Sequence, residues 1–294
     1  MVFVYGALTV VCWGTWIGVS QMVDARHNEI RTFYVTLGNF VLAASVLLMR
    51  WDALSDLSWK ALVPPLAGGV LWTLGNLCAF SGTTRIGIAR AAGVWTPLNI
   101  AMGFLWGVLL FGEFSRVSAG EVTALAATVL AIILGLLLIV FAKGGNSGQG
   151  SGTLLGVAAA GGAGLLWGTY FVPVKASAAS SWVANFPLAV GMLAGATALV
   201  LFSRTRPVLT SRRDYLMLSF AGTLWGTGNL GMLFLVEAVG AGKGFTIAQL
   251  SLLLNAVVGI YFFRDPPPRS RATAITVFGI LLAGSGGVLL GNLK

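Results

Sequence analysis

Inside the apolar stretches of this 294-residue chain, the side chains able to do chemistry are indoles and amides. Trp72 and Asn76 stand four residues apart, as do Trp95 and Asn99, and Trp225 and Asn229. That spacing puts each pair on one face of a helix. Trp13 and Trp16 are three apart, as are Trp167 and Tyr170, and Gln249 adds a further amide within an apolar run. An amide in hydrocarbon needs hydrogen-bond partners. A neutral polyhydroxylated solute supplies them, and the apolar C–H face of its ring packs on an indole. An aromatic cage also suits an organic cation, so a cationic or aromatic solute stays open. Packing between helices accounts for a mid-run Trp72 or Trp225 equally well. An Asn76 or Asn229 amide bonded to a neighbouring helix would contribute only about 0.6 to 2 kcal/mol.

The ionisable residues lie elsewhere. No Asp, Glu, Lys, Arg or His falls in the middle third of any apolar run. Glu113, Glu237, Lys175, Lys243, Arg85 and Arg90 sit at run ends or in loops, and the lone His27 shares a loop with Asp24, Arg26 and Glu29. Facing carboxylates and a positioned serine–histidine dyad are both missing from the run interiors. The glycines at 240, 242 and 244 do not have phosphate-loop spacing. No catalytic residue, metal or cofactor is expected, and the chain does not read as an enzyme. Solute movement would be driven by a gradient or be facilitated. A proton carrier needs a titrating carboxylate, and Glu237 at the end of the eighth run is the nearest candidate. Lys175 and Lys243 fall on the same side, so an ion-paired gate fits these three residues equally. A sodium ion is the other coupling partner left open.

These residues must be held by elements that live in lipid. Apolar residues make up 57% of the chain and charged residues 9%, against about 25% charged in a soluble domain. A membrane helix needs about 20 apolar residues. Ten runs qualify, at 2–21, 32–49, 61–81, 91–111, 121–141, 153–173, 183–203, 215–236, 244–263 and 272–290. Trp51, Trp59 and Trp182, near run ends, fit an aromatic belt. The net charge of +9 sits in short loops, where it orients helices rather than binding nucleic acid. Lys and Arg are twice as numerous on the side of the loop after the first run as on the side of the termini. The positive-inside rule then puts both termini outside. Cys12 and Cys78 lie in apolar runs and read as small core residues.

The chain also repeats itself. Trp13-Gly14-Thr15-Trp16 is echoed by Trp167-Gly168-Thr169-Tyr170, and the pattern G-x-L-W-x-x-G-N-L occurs at 69–77 and again at 222–230. Phe111-Gly112-Glu113 at the end of the fourth run answers Phe263-Arg264-Asp265 at the end of the ninth. All three echoes come about 153 residues later, and residues 143–152 (KGGNSGQGSG) read as a flexible linker between the copies. Five runs per copy is odd, so the second copy enters the membrane from the opposite side. The expected fold is an all-α integral membrane protein of ten transmembrane helices in two inverted five-helix repeats, residues 1–142 and 153–294. Such proteins hold a solute near the midplane between the repeats and work by alternating access.

Duplicated five-helix halves resemble the drug/metabolite transporter superfamily. The G-x-x-W-x-x-G-N element, followed by Gly87, Ala89, Trp95, Asn99 and Phe111-Gly112-Glu113, is similar to its glucose/ribose porter branch. The resemblance implies sugar uptake by secondary transport in the cell membrane. It also implies that Trp72, Asn76, Trp95 and Asn99 in one half, with Trp225, Asn229 and Gln249 in the other, line a central cavity. Arg264-Asp265 replaces Gly112-Glu113 in the second half, and Gln249 stands near the place of Trp95. Other superfamily solutes, namely amino acids, organic cations and nucleobase-like heterocycles, often exported, form the alternative. The expected partners are the solute and the bilayer, with the protein a monomer or homodimer and no nucleic acid bound.

Overall fold

In lipid a backbone must satisfy its own polar groups, and a single segment does so only as a helix. The computed structural model describes residues 1–52, 58–111, 119–142, 151–177, 179–239, 244 and 247–292, and among these there is no strand. In chain order the helices are α1 Val2–Gln21, α2 Asn28–Met49, α3 Trp59–Ile86, α4 Ile88–Phe111, α5 Ala119–Phe141 and α6 Ser151–Trp167. They continue with α7 Phe171–Ala176, α8 Ser181–Phe202, α9 Arg212–Val239, α10 Ser251–Val257 and α11 Arg271–Asn292. A single π-helical turn, Val258–Phe262, extends α10. By length and composition, α1, α2, α3, α8 and the stretch Gly152–Ala176 can each cross a membrane.

Three stretches differ from the expected runs. The helix α6 takes up Ser151 and Gly152 from the expected linker, while 143–150 lie outside the described residues. The sixth run is broken by a turn over 168–170. The ninth is helical at 247–248, turns at 249–250 and resumes as helix from Ser251, and its end passes into the π turn. Local signals set other boundaries. Ser58 caps α3 by accepting from the Ala61 amide at 3.3 Å. Gly87 ends α3 with φ +78°, and a Cβ there would fall 2.5 Å from Asp265 Oδ2. Only glycine meets both demands.

The helices pack in matched pairs. The α1–α9 contact has its counterpart in α6–α3, and α2–α9 in α8–α3. Individual contacts answer one another. The Trp13 indole N–H donates to the Trp225 carbonyl at 3.3 Å, and the Trp167 indole N–H donates to the Trp72 carbonyl at 3.2 Å. A Cβ on Gly75 would meet Trp167 Cδ1 at 2.7 Å, and one on Gly228 would meet Trp13 Cδ1 at 2.5 Å. Gly69 lies against the Leu188 carbonyl and Gly222 against the Val35 carbonyl, so close that neither has room for a side chain. Small residues at crossings allow this approach in membranes.

Hydrogen bonds also fix which ends of the helices lie together. Gln21 at the end of α1 bonds Thr83 near the end of α3, and Arg31 near the start of α2 bonds Gln21. Arg90 near the start of α4 pairs with Asp265 beyond the π turn at 3.1 Å. We call this the Arg31 end. Ser181 at the start of α8 bonds Glu237 near the end of α9, and this marks the opposite, Glu237 end.

Candidate functional site

Indoles from five helices converge at the centre. Trp13 stacks with Trp225 at 6.4 Å between ring centroids, and Trp72 stacks with Trp167 at 6.1 Å. The two pairs meet where Trp72 and Trp225 come within 4.4 Å. Trp16 touches both Trp72 and Trp167, and Trp95 meets Trp167 edge-on at 5.5 Å. Trp72 is 1% exposed, so no membrane-surface belt accounts for it. Against these rings stands a cavity of about 40 Å³. A water needs roughly 10–15 Å³, so the cavity has room for water but is smaller than the roughly 300–1,000 Å³ of common ligand pockets.

Nine of the expected residues line this cavity: Trp13, Trp16, Trp72, Trp95, Asn99, Trp167, Tyr170, Trp225 and Gln249. Ile17, Ser251 and Asn255 complete it. None of these twelve side chains is a carboxylate, ammonium or guanidinium. The wall is indole and amide, able to cover an apolar ring face and to exchange hydrogen bonds at its edge.

Asn76 and Asn229 stand behind the wall. Asn76 donates to Thr32 Oγ1 on α2 at 3.2 Å. Asn229 donates to Asn185 Oδ1 on α8 at 2.9 Å and accepts from the Tyr170 hydroxyl at 3.0 Å. Both amides are fully buried and turned to a neighbouring helix, so they support the site rather than face it. Their four-residue spacing from the tryptophans leaves a rotation of about 40° around the helix, enough to change which neighbour each side chain meets.

The two ends of the bundle differ. At the Glu237 end a second cavity of about 300 Å³ is bounded by Phe171, Lys175, Ala184, Met232 and Glu237, among others. Tyr170 lines the central cavity and its chain neighbour Phe171 lines this vestibule. Glu237 is exposed and accepts from Ser181 Oγ at 2.8 Å. Lys175 borders the same space, and Lys243 lies outside the described residues.

At the Arg31 end the corresponding space is filled. Arg31 is buried, donating to Gln21 Oε1 at 3.0 Å and to the Val23 carbonyl at 2.8 Å. Its guanidinium lies over Phe80 at 5.2 Å, and Phe80 in turn packs on Trp16. Arg90 is buried in its pair with Asp265. Arg90, expected at a run end, lies near the start of α4, and both it and Arg31 are buried. Each has the carbonyl, amide or carboxylate partners that make a buried guanidinium tolerable.

The family described as sugar transport protein matches residues 4–293. A Listeria monocytogenes protein, a candidate for sugar uptake by its name, is 26% identical over 300 residues, with both chains fully covered. The glucose uptake protein GlcU of Bacillus subtilis is 25% identical over 262 residues, covering 88% of each chain. A protein of known crystal structure, 19% identical, shares the fold with a TM-score of 0.63 over 99% of this chain and 97% of its own. This chain is a multi-pass protein of the cell membrane, a transporter and not an enzyme, and it belongs to the sugar transport protein family.

Proposed function

We propose that this protein takes up a neutral monosaccharide by alternating access, as a secondary transporter of ten membrane helices in two inverted five-helix repeats, residues 1–142 and 153–294. The observation that carries the proposal is the central cavity. Its indoles and amides carry no charge in the lining named above, and sugar binding asks for apolar ring faces bordered by hydrogen-bonding groups. The relatives named for sugar and glucose uptake support the same class of solute.

The inverted repeat is supported by reciprocal contacts that fall about 153 residues apart, above all the paired indole bonds of Trp13 to Trp225 and Trp167 to Trp72. Alternating access is supported by the unequal ends. Arg31 fills one mouth, and the vestibule beside Glu237 and Lys175 opens the other. The Arg31 end carries more Lys and Arg, which makes it cytoplasmic by the positive-inside rule. The vestibule then faces outward. The centre is contracted, so an entering sugar must separate the indoles. Glu237 and Lys175 act at that mouth as gate residues.

The test is tracer uptake into proteoliposomes with labelled glucose and ribose, with and without imposed pH or sodium gradients. Saturable uptake of either sugar supports the proposal, and its gradient dependence names the coupling ion or facilitated diffusion. Well-folded protein that carries neither sugar, but carries an amino acid or organic cation, refutes it.

A further inference from the structure

Three buried amide atoms among the cavity-lining residues have no hydrogen-bond partner in the protein: Asn99 Oδ1, Asn255 Oδ1 and Gln249 Nε2. An orphaned buried polar atom costs about 1–3 kcal/mol. An apolar side chain would avoid that cost, so amides at an indole-walled cavity mark places where water or a solute completes the bond. Gln249 also borders a separate apolar pocket of about 180 Å³, so its donor is not committed to the centre.

Asn255 differs from the other two because the protein fixes its orientation. Its Nδ2 donates to the Trp13 carbonyl at 3.4 Å and to the Ser251 carbonyl at 3.2 Å. Carbonyls only accept, so the amide cannot turn over. Its Oδ1 is held as an acceptor, in a side chain 4% exposed. The same bond ties α10 to Trp13, whose indole lines the same cavity. The position has no amide counterpart in the first half, where Met102 stands.

We propose that Asn255 is a specificity-determining residue that accepts a hydrogen bond from one ring hydroxyl of the transported sugar. The inference rests on the monosaccharide proposal above. It adds that the site requires a donor at that position. Fluorine, which has the size for the place but no proton to give, is then rejected there.

The test uses proteoliposomes and the series of glucose analogues in which one hydroxyl at a time is replaced by fluorine; the ribose series is used if ribose is the sugar carried. For the wild-type protein, one position should lose about tenfold in kcat/KM, the equivalent of one hydrogen bond. Asn255→Leu should lower uptake of the parent sugar by a similar factor and should no longer distinguish it from that analogue. Asn255→Ser, which retains an acceptor oxygen, should keep part of the discrimination. Wild-type protein that tolerates fluorine at every position overturns the inference without recourse to a variant. So does an Asn255→Leu protein that discriminates as the wild type does. In either case uptake of the parent sugar leaves the monosaccharide proposal standing, whereas its absence in the wild type removes both.

Discussion

Arg31 and Ala184 hold matching places at opposite ends of the bundle. Each precedes the residue that accepts a hydrogen bond from a buried asparagine: Thr32 from Asn76, and Asn185 from Asn229. Where Arg31 reaches Gln21, Val23 and Phe80, the methyl of Ala184 borders a vestibule of about 300 Å³. One long side chain against one short one makes the difference between a filled mouth and an open one.

Ala184→Arg should therefore place a second plug in the vestibule and reduce uptake to background. The folded protein should survive, because the new side chain enters open space. Arg31→Ala should act differently. It removes two hydrogen bonds from a buried guanidinium and leaves Gln21 Oε1 without that donor, a loss of about 2–4 kcal/mol. Tracer uptake together with thermal melting in detergent separates the two effects.

Asn229→Leu should cost stability more than affinity. It strands the Tyr170 hydroxyl and the Asn185 amide oxygen, both buried, at about 1–3 kcal/mol. Because Asn229 does not line the central cavity, KM for the transported sugar should stay within about twofold. Asn76→Leu should behave alike through Thr32. A melting temperature and a KM measured on the same preparation check both.

The close helix crossings should tolerate no added methyl. A Cβ at Gly222 or Gly69 would run into the carbonyl of Val35 or Leu188, and backbone cannot move aside as a flexible side chain does. Gly222→Ala and Gly69→Ala should each destabilise by about 1–3 kcal/mol or more. At Gly161 the nearest atom to a new Cβ is Leu98 Cδ1 at 3.7 Å, an ordinary contact. Gly161→Ala should be neutral, or stabilising by up to about 1 kcal/mol through its better helix propensity. Size-exclusion profiles after graded heating read the difference.

The pair of Arg90 and Asp265 joins the start of α4 to the chain after α10. Arg90 has a side chain only 5% exposed. Asp265→Leu should cost about 2–4 kcal/mol by leaving a buried guanidinium without its carboxylate. Arg90→Met combined with Asp265→Leu should recover part of that loss. A double-mutant cycle on thermal stability measures the coupling.

Much of this architecture was legible in the sequence because it is written in period and repetition. Trp13, Trp72, Trp167 and Trp225 recur at one offset, and the structure gives them reciprocal bonds. The amides at 76 and 229 were harder to place. Spacing along one helix names a face, but the neighbour that the face meets depends on the tertiary arrangement, and here it is α2 or α8. Asn255 carried no signal of its own, since it lacks both a repeat partner and an aromatic neighbour at helical spacing. Arg31 looked like a loop cation because hydropathy ends a run at the first charge. Its burial depends on Gln21, Val23 and Phe80, which lie up to some fifty residues away in the chain. The break at 168–170 falls just before Pro173, which has no N–H to give the Thr169 carbonyl.

The most direct measurement is sugar counterflow in proteoliposomes for Trp72→Ala and Trp225→Ala beside Trp182→Ala. Trp182 packs on Phe234 and under Arg50, away from the central cavity. If a monosaccharide passes through the indole-walled centre, the first two variants lose saturable counterflow while Trp182→Ala keeps it. Wild-type counterflow in folded Trp72→Ala and Trp225→Ala would contradict passage by that route.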